Sequence, residues 1–230
     1  MSYISENGIK AVCFDIDGTL YPKSQMNWIL FKSSVFHLPF ALKYMAMRSR
    51  MREADGYGDF PVISNDEFKM RECLMMYPGG KRSLEWFKEK ERKVFHERWE
   101  RDFLSIKMFD GMSSLLSDLA KVVSVALFSD FPIGSKLKAL EIDGIADYVL
   151  SSEDIGRLKP SRLPFRLLCE HFSLRPEEVL YVGDSEEKDV LGSRKAGMKS
   201  LLITKNKKKA LNSSADIVVS SYTQMRAVLL

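Results

Sequence analysis

Asp15 and Asp17, in the sequence FDIDGTL, follow an apolar run near the start of the chain. Two carboxylates this close repel each other, and burying one of them without a partner is costly. An aspartate can act as a nucleophile, however, and a second carboxyl two residues further on can move protons to and from the reacting groups. The pair is therefore a candidate catalytic centre if other groups balance its charge.

Other polar residues also come after apolar runs. Ser129 and Asp130 follow VVSVALF, and Asp184 follows LYVG, with Asp189 further along. Lys159 lies in the loop sequence GRLKP, after a shorter apolar run. Because ligands of an open parallel sheet bind outside the carboxyl ends of its strands, we expect these side chains to lie near the first two aspartates.

The residue types of this set predict a particular chemistry. Several carboxylates in one crevice stay ionised only when a cation neutralises them. Oxygen ligands without a nearby His or Cys favour Mg²⁺, which is usually held by one or two carboxylates together with waters and phosphate oxygens. Ser129 and Lys159 would supply a hydrogen-bond donor and a positive charge for that phosphate. The set therefore predicts a magnesium site, a phosphorylated substrate and an aspartyl-phosphate.

The elements that must position these groups are an apolar run near the N-terminus and, after residue 109, short apolar runs that alternate with helical segments. The predicted strands are residues 9–15, 122–128, 148–151, 179–182, 200–203 and 217–219. The predicted helices of this part are residues 113–121, 133–140, 162–172, 187–196 and one that begins at Ser221. Strands that alternate with helices predict βαβ units and a parallel sheet, which is an α/β fold.

Residues 23–107 have a different sequence pattern, with apolar residues at helical spacing and many Met, Lys, Arg and Glu. Turn signals at 55–58 and 78–80 separate its helices, Ser64 is a predicted N-cap, and residues 81–103 are predicted to form one long charged helix. The predicted domains are an α/β catalytic core of residues 1–20 and 109–230 and an all-helical cap domain of residues 21–108. The tryptophans are interpreted as packing anchors of this cap; they are Trp28, Trp86 and Trp99.

Composition and charge narrow the function classes. The chain has 230 residues and a net charge of +4, and its main basic cluster, at residues 205–209, is interpreted as a solvated loop, so no nucleic-acid partner is expected. Its three cysteines are widely spaced and indicate neither a disulfide framework nor a zinc site. No apolar run precedes the first strand, so no signal peptide is expected and the predicted location is cytoplasmic.

The segment 28–47 is apolar enough to consider as a membrane span, but Lys32, His37, Pro39 and Lys43 interrupt it. An amphipathic helical pair is the favoured interpretation, and no stable membrane association is expected. A membrane-surface helix is the alternative, since lysines and aromatic residues are both present.

Four segments resemble, in order, the four motifs of the haloacid dehalogenase-like superfamily, in which most members are Mg²⁺-dependent phosphatases. These segments are DIDGTL at 15–20, FSD at 128–130, KP at 159–160 and GDSEEKD at 183–189. The resemblance covers the predicted core and implies a Rossmann-like three-layer arrangement with a mainly parallel sheet. The predicted cap resembles the helical cap of this superfamily only in position and helical character.

The resemblance also implies roles for the matching residues. Asp15 would be the nucleophile, and Asp17 the general acid/base, which ligates the metal through its backbone carbonyl. The implied metal ligands are Asp15, Asp17, Asp184 and Asp189, and the implied phosphate-binding residues are Ser129, Asp130 and Lys159. Asp130 can instead cap the following helix, and both interpretations stay open. Asp17 favours phosphoryl transfer over carbon–halogen hydrolysis, because the dehalogenases lack an acid at that position.

The predicted function is Mg²⁺-dependent hydrolysis of a small phosphorylated metabolite, such as a sugar phosphate, phosphoglycolate or a nucleotide monophosphate. A phosphomutase of the beta-phosphoglucomutase type uses the same aspartyl-phosphate and is an alternative. A binding or regulatory protein that keeps the fold without turnover is a third hypothesis. We expect a monomer or a homodimer.

Overall fold

Among the residues that the structure describes, the sheet has six strands, all parallel. The computed structural model describes residues 2–134 and 136–230, apart from the side chains of residues 98–100. The strands are β1 (Ala11–Asp15), β2 (Ser124–Ser129), β3 (Tyr148–Ser151), β4 (Val179–Gly183), β5 (Lys199–Ile203) and β6 (Ile217–Val219). They lie in the order β3-β2-β1-β4-β5-β6. The predicted α/β fold with a parallel sheet is confirmed.

Strand β1 occupies the centre of the sheet, and its run AVCFD is buried at every position. It pairs with β2 on one side and with β4 on the other. Val12 and Phe14 belong to the apolar cluster on one face, whereas Ala11 and Cys13 belong to the cluster on the opposite face. Both faces are therefore covered, as parallel sheets require, and the core has three layers.

Helices supply the outer layers and fill the segment between β1 and β2. The helices before β2 are α1 (Tyr3–Glu6), α2 (Lys23–Ser34), α3 (Leu38–Asp55), α4 (Asn65–Met76), α5 (Leu84–Glu91), α6 (Glu97–Phe103) and α7 (Met112–Leu119). The later helices are α8 (Lys136–Ala139), α9 (Ser152–Ile155), α10 (Arg162–Phe172), α11 (Gly192–Lys195), α12 (Lys207–Leu211) and α13 (Tyr222–Leu229). Short 3₁₀ segments lie at Val35–His37 and Pro176–Glu178, and π-helical segments at Arg92–His96 and Glu186–Leu191.

Some helices differ from the prediction. The helix expected over 133–140 is observed as α8 only, and Ser135 lies outside the described residues. The basic segment 205–209, interpreted as a loop, contains the start of α12, because the Asn206 side chain accepts a hydrogen bond from the Lys209 N–H and caps the helix. Helices α1 and α9 were not predicted, since four residues are too few for a helical period to show.

Residues 21–108, here called the insert, contain helices α2 to α6. Ser64 caps α4 and forms a capping box with Glu67, which confirms the predicted N-cap. The long helix expected over 81–103 begins at Leu84, with Ser83 as its N-cap, and it passes through a π-helical segment before it ends at Phe103. The insert is therefore helical as predicted.

The tryptophans of the insert do not all anchor its packing. Trp86 is partly buried and lies edge-on to Phe40 and Tyr77. Trp28 is 58% exposed, so the prediction that it anchors the interior is wrong. The side chain of Trp99 lies outside the described residues.

Buried ion pairs join the insert to the sheet region. Lys69 Nζ on α4 lies 2.7 Å from Glu91 Oε1 and also 2.7 Å from Glu153 Oε1 on α9. Arg52 Nη2 on α3 lies 3.0 Å from Asp130 Oδ2, just after β2. Apolar side chains of the insert and of one sheet face form a continuous cluster. The division into a core and a separate cap domain stays a prediction.

Candidate active site

The predicted site residues come from the carboxyl ends of three adjacent strands. Asp15 is the last residue of β1, and Ser129 is the last residue of β2. Gly183 ends β4, and Asp184 follows it. Strand β1 lies between β2 and β4, where the strand order reverses, and open α/β sheets bind their ligands at such a point.

Lys159 connects two of the carboxylates. Its Nζ lies 2.6 Å from Asp15 Oδ1 and 2.7 Å from Asp189 Oδ1, and it donates a hydrogen bond of 3.2 Å to the Tyr181 hydroxyl. Burial by itself would lower the pKa of Lys159, but the charges of Asp15 and Asp189 outweigh burial and raise that pKa well above its usual value. Lys159 is therefore a fixed positive charge beside Asp15.

Three carboxylates at this edge form a compact group of oxygen donors. Each of Asp15, Asp184 and Asp189 has an oxygen within 4.8 Å of those of the other two. Burial raises the pKa of Asp15, and the charges of Asp189 and Asp184 raise it further, although Lys159 opposes this. A divalent cation among these oxygens would relieve the repulsion, and an all-oxygen donor set suits Mg²⁺. The residues present therefore fit a magnesium ion.

Two glycines let these carboxylates approach the backbone closely. Gly18 has a φ of +107°, and a Cβ at this position would lie 2.7 Å from Asp184 Oδ2. A Cβ on Gly183 would lie 2.3 Å from the Cβ of Asp189. Because real Cβ atoms do not come that close to other atoms, a side chain at either position would displace a carboxylate from the group.

Asp17 is held by partners other than those of Asp15. Ser129 Oγ donates to Asp17 Oδ2 at 2.6 Å, Lys136 Nζ lies 2.8 Å from Oδ1 and 2.9 Å from Oδ2, and the Tyr21 hydroxyl donates to Oδ1. Burial would raise the pKa of Asp17, but the ion pair with Lys136 and these hydrogen bonds lower it below its usual value. The side chain is thus oriented toward the end of β2 as a carboxylate.

Asp130 is held by groups from three segments. Its Oδ1 accepts hydrogen bonds from Ser152 Oγ at 2.9 Å and from the Lys159 N–H at 3.0 Å, and its Oδ2 accepts one from Arg52 at 3.0 Å. Burial would raise the pKa of Asp130, but the surrounding positive charges, led by Arg52, lower it well below the usual range. The helix after β2 begins at Lys136, six residues beyond Asp130, so the N-cap interpretation is wrong, and the phosphate contact stays a prediction.

Residues 9–197 match the haloacid dehalogenase-like hydrolase family, and all four motif segments lie within that range. The chain belongs to this family. This confirms the resemblance inferred from the motifs.

Similar proteins match this haloacid dehalogenase-like hydrolase over most of its length. A ribulose-1,5-bisphosphate 5-phosphatase from Halopiger xanaduensis is 24% identical over 221 residues, which cover 90% of this chain and 89% of the relative. A phosphoglycolate phosphatase from Photorhabdus laumondii is 28% identical over 195 residues, covering 83% and 78%. The magnesium-bound crystal structure of the hydrolase YfnB from Bacillus subtilis shares the fold, with a TM-score of 0.65, 17% identity and coverage of 96% and 98%.

Sequence reasoning missed two residues that contact the acid/base candidate of this hydrolase. Lys136 lies in the sequence KLKAL, where nothing in the pattern distinguishes a buried lysine from an exposed one. Tyr21 follows Asp17 by four residues, and that spacing was the only signal for their contact. The other predicted site residues, Asp15, Ser129 and Lys159 among them, are brought to one edge of the sheet.

Proposed function

We propose that this haloacid dehalogenase-like hydrolase is a Mg²⁺-dependent phosphatase that acts on a small phosphorylated metabolite through an aspartyl-phosphate. The observation that carries the proposal is the contact of Lys159 Nζ with both Asp15 at 2.6 Å and Asp189 at 2.7 Å. A positive charge between the proposed nucleophile and a proposed metal ligand supports this assignment. The two relatives described above are phosphatases, which supports the reaction class.

The magnesium ion would be held by Asp15, Asp184 and Asp189, with the backbone carbonyl of Asp17 as a further ligand. When bound, the ion supplies positive charge that neutralises the carboxylates and the phosphate oxygens. Because these three carboxylates are already gathered within 4.8 Å, little rearrangement of the chain is needed for binding.

In the first step, a carboxylate oxygen of Asp15 attacks the phosphorus of the phosphate ester, and the bond from phosphorus to the leaving oxygen breaks. Lys159 Nζ and Ser129 Oγ stabilise the negative charge on the non-bridging phosphate oxygens. Asp17, which is a carboxylate in the free protein and must take up a proton when the phosphate ester binds, gives that proton to the leaving oxygen, which departs as an alcohol.

In the second step, a water molecule attacks the phosphorus of the aspartyl-phosphate. Its proton moves to Asp17, and the bond between phosphorus and the Asp15 oxygen breaks. Inorganic phosphate is released, while the carboxylate of Asp15 and the proton of Asp17 are restored. Lys136 keeps Asp17 oriented for both proton transfers, while the Ser129 hydroxyl turns from Asp17 to the phosphate.

The insert would select the substrate and exclude water from the reaction. Two of its basic residues reach the edge of the site: Lys23 Nζ, at the start of α2, lies 3.4 Å from Asp184 Oδ2, and Arg52 pairs with Asp130. Positive charges at this edge favour anionic substrates, in agreement with a sugar phosphate, phosphoglycolate or a nucleotide monophosphate.

The proposal is tested by the hydrolysis of p-nitrophenyl phosphate with Mg²⁺ and with EDTA. We expect hydrolysis only with Mg²⁺, and its loss in Asp15→Asn. Asp143→Asn, which changes an exposed aspartate outside the site, is the control and should keep full activity. Equal activity of Asp15→Asn and the wild type would contradict the proposed nucleophile.

Product analysis distinguishes the phosphomutase alternative. With a panel of sugar phosphates, phosphoglycolate and nucleotide monophosphates, a phosphatase releases inorganic phosphate in proportion to the substrate consumed. A mutase instead produces an isomeric phosphate ester with no net release. A protein without turnover gives neither product, although it would still bind Mg²⁺ at the carboxylate group.

A further inference from the structure

The outer surface of the insert carries an unusual concentration of exposed apolar side chains. Among the described residues, seven large apolar side chains within residues 28–45 are exposed to solvent. On α2 they are Trp28 and Phe31, with Val35 one turn further on, and on α3 they are Leu38, Leu42 and Met45. Phe36, in the turn that joins the two helices, is 81% exposed. We call these seven residues the apolar tip.

The spacing within the apolar tip gives each helix one apolar outer stripe. On α2 the exposed residues follow each other at intervals of three and four, and the same holds on α3. Such intervals place side chains on one helix face. The opposite faces of the same helices are buried in the interior, through Met26 and Ile29 on α2 and through Tyr44 and Met47 on α3. Both helices are thus apolar on two sides.

The charged residues of the segment that carries the apolar tip are all basic. The chain contains no Asp or Glu between Asp17 and Glu53, whereas the same segment contains six Lys or Arg. Lys43 and Arg50 are exposed on α3, and Lys32 flanks the stripe of α2, where it lies 3.9 Å from Asp102. Lys90 approaches His37 beside the turn, at 3.4 Å. Lys23, Arg48 and Arg52 pair with carboxylates of the site and of the interior, so the basic residues of this segment that flank the tip are Lys32, Lys43 and Arg50.

These observations together favour an anionic surface over a second copy of the chain. In a two-fold symmetric dimer the apolar tip would face itself, so the flanking Lys43 and Arg50 would meet their own copies. An anionic lipid bilayer offers the complementary charge together with an apolar layer for Trp and Phe side chains. Among the described residues, no helix is long and apolar enough to cross a bilayer.

We propose that the apolar tip docks the protein reversibly on an anionic membrane surface, with Phe36 and its neighbours inserted at the level of the headgroups and Lys32, Lys43 and Arg50 facing the lipid phosphates. This is the membrane-surface alternative that the sequence left open. Stable anchoring needs more than one such signal, so the association is peripheral and reversible.

The position of the tip keeps the active site accessible during docking. Helix α2 begins at Lys23, beside Asp184, and its 12 residues end near the turn that carries Phe36. At about 1.5 Å per residue, the turn that carries Phe36 lies roughly 18 Å along this helix from Lys23. Docking would therefore bring the site close to the membrane without covering it.

The test is flotation of the full-length protein with two kinds of vesicle. One kind contains only phosphatidylcholine, and the other contains equal parts of phosphatidylcholine and phosphatidylglycerol. We expect flotation with the mixed vesicles, weakened by high salt, and little flotation with phosphatidylcholine alone. Absence of flotation with the mixed vesicles overturns the proposal.

Two sets of variants separate the apolar contribution from the charge. Phe36→Ser and Leu42→Ser should each reduce partitioning to the mixed vesicles by about tenfold or more, because each removes one inserted apolar side chain. Lys43→Gln and Arg50→Gln should each reduce it by about fivefold. Leu211→Ser removes an equally exposed apolar side chain elsewhere and should leave partitioning unchanged.

A second measurement identifies the competing occupant. Sedimentation of the wild type without lipid should show no self-association that Phe36→Ser or Leu42→Ser abolishes. If these substitutions instead convert a dimer into a monomer and flotation does not depend on phosphatidylglycerol, the tip is an interface between copies of the chain and the membrane proposal is wrong. Thermal unfolding of both variants establishes that they remain folded.

Discussion

The ammonium group of Lys136 lies 2.8 and 2.9 Å from the two carboxylate oxygens of Asp17, although 119 residues separate them in the chain. Ser129 completes the arrangement, since its Oγ is 2.6 Å from Asp17 and 3.3 Å from Lys136 Nζ. Lys136 is fully buried, so its charge faces Asp17 without competition from bulk water. Helix α8 and the end of β2 therefore orient the proposed acid/base together.

Substitution of this lysine should impair the chemical step. In Lys136→Met we expect kcat to fall on the order of 100-fold with a smaller change in KM, because Asp17 loses a group that orients it. Asp17 gives a proton in the first step, so activity requires its protonated form and falls as pH rises through its pKa. The ion pair lowers the pKa of Asp17, so its removal raises that pKa and moves the alkaline limb of the kcat profile to higher pH. Lys138→Met, on the same helix but exposed, is the control. An unchanged pH profile in Lys136→Met would show that the pair does not serve catalysis.

The glycine at position 18 should be required for metal binding. In Gly18→Ala, the new Cβ would lie 2.7 Å from Asp184 Oδ2, so the carboxylate must move away from the group. We expect the Mg²⁺ concentration for half-maximal activity to rise by about tenfold or more. Gly144→Ala is matched in backbone strain, with a φ of +78°, but its Cβ would meet nothing within 4 Å. That control should lose about 1–2 kcal/mol of stability and keep its Mg²⁺ dependence.

Asp130 should stabilise the fold in a pH-dependent manner. Removal of its charge in Asp130→Asn leaves Arg52 without its carboxylate, which we expect to reduce the free energy of unfolding by about 2 kcal/mol at neutral pH. The pKa of Asp130 is below its usual value in the folded protein, so its stabilising contribution is complete above about pH 5 and is lost as pH falls below about 4. Urea unfolding of both proteins at several pH values should show their difference shrinking toward acid. A difference independent of pH would mean that the charge is not responsible.

The buried cluster around Lys69 should be sensitive to loss of this lysine, although Arg48 also lies 3.7 Å from Glu72. Lys69 Nζ contacts carboxylates of Glu72, Glu91 and Glu153 at 2.7 to 3.2 Å. Lys69→Met leaves these carboxylates buried together, and we expect unfolding free energy to fall by about 3–5 kcal/mol. The measurement is urea unfolding followed by circular dichroism.

The control for the Lys69 variant is a lysine that forms an ion pair at the surface. Lys88 pairs with Asp66, which is largely exposed, so Lys88→Met should change the unfolding free energy by less than about 1 kcal/mol. Similar losses in both variants would show that burial of the Lys69 cluster adds nothing to its effect.

The sequence by itself determined the sheet and the main site residues. The run AVCFD is apolar throughout, which indicates a strand covered on both faces, and the structure places it at the centre of the sheet. Parallel strands bring their carboxyl ends to one edge, so residues that follow the apolar runs must come together whatever the details of the loops. For this reason Asp15, Ser129 and Asp184 could be assigned to one site from their positions alone.

Only the tertiary structure decided which partners the site residues have. The contacts of Asp17 with Lys136 and of Asp130 with Arg52 depend on how α8 and α3 are oriented, and side-chain type does not encode that orientation. The local sequence pattern also did not show which faces of α2 and α3 are exposed, because both helices are apolar on two sides. The spacing of apolar residues shows that a helix has an apolar face, but packing against the rest of the chain decides which face is buried. In this protein that packing leaves Trp28 and Phe36 exposed to solvent.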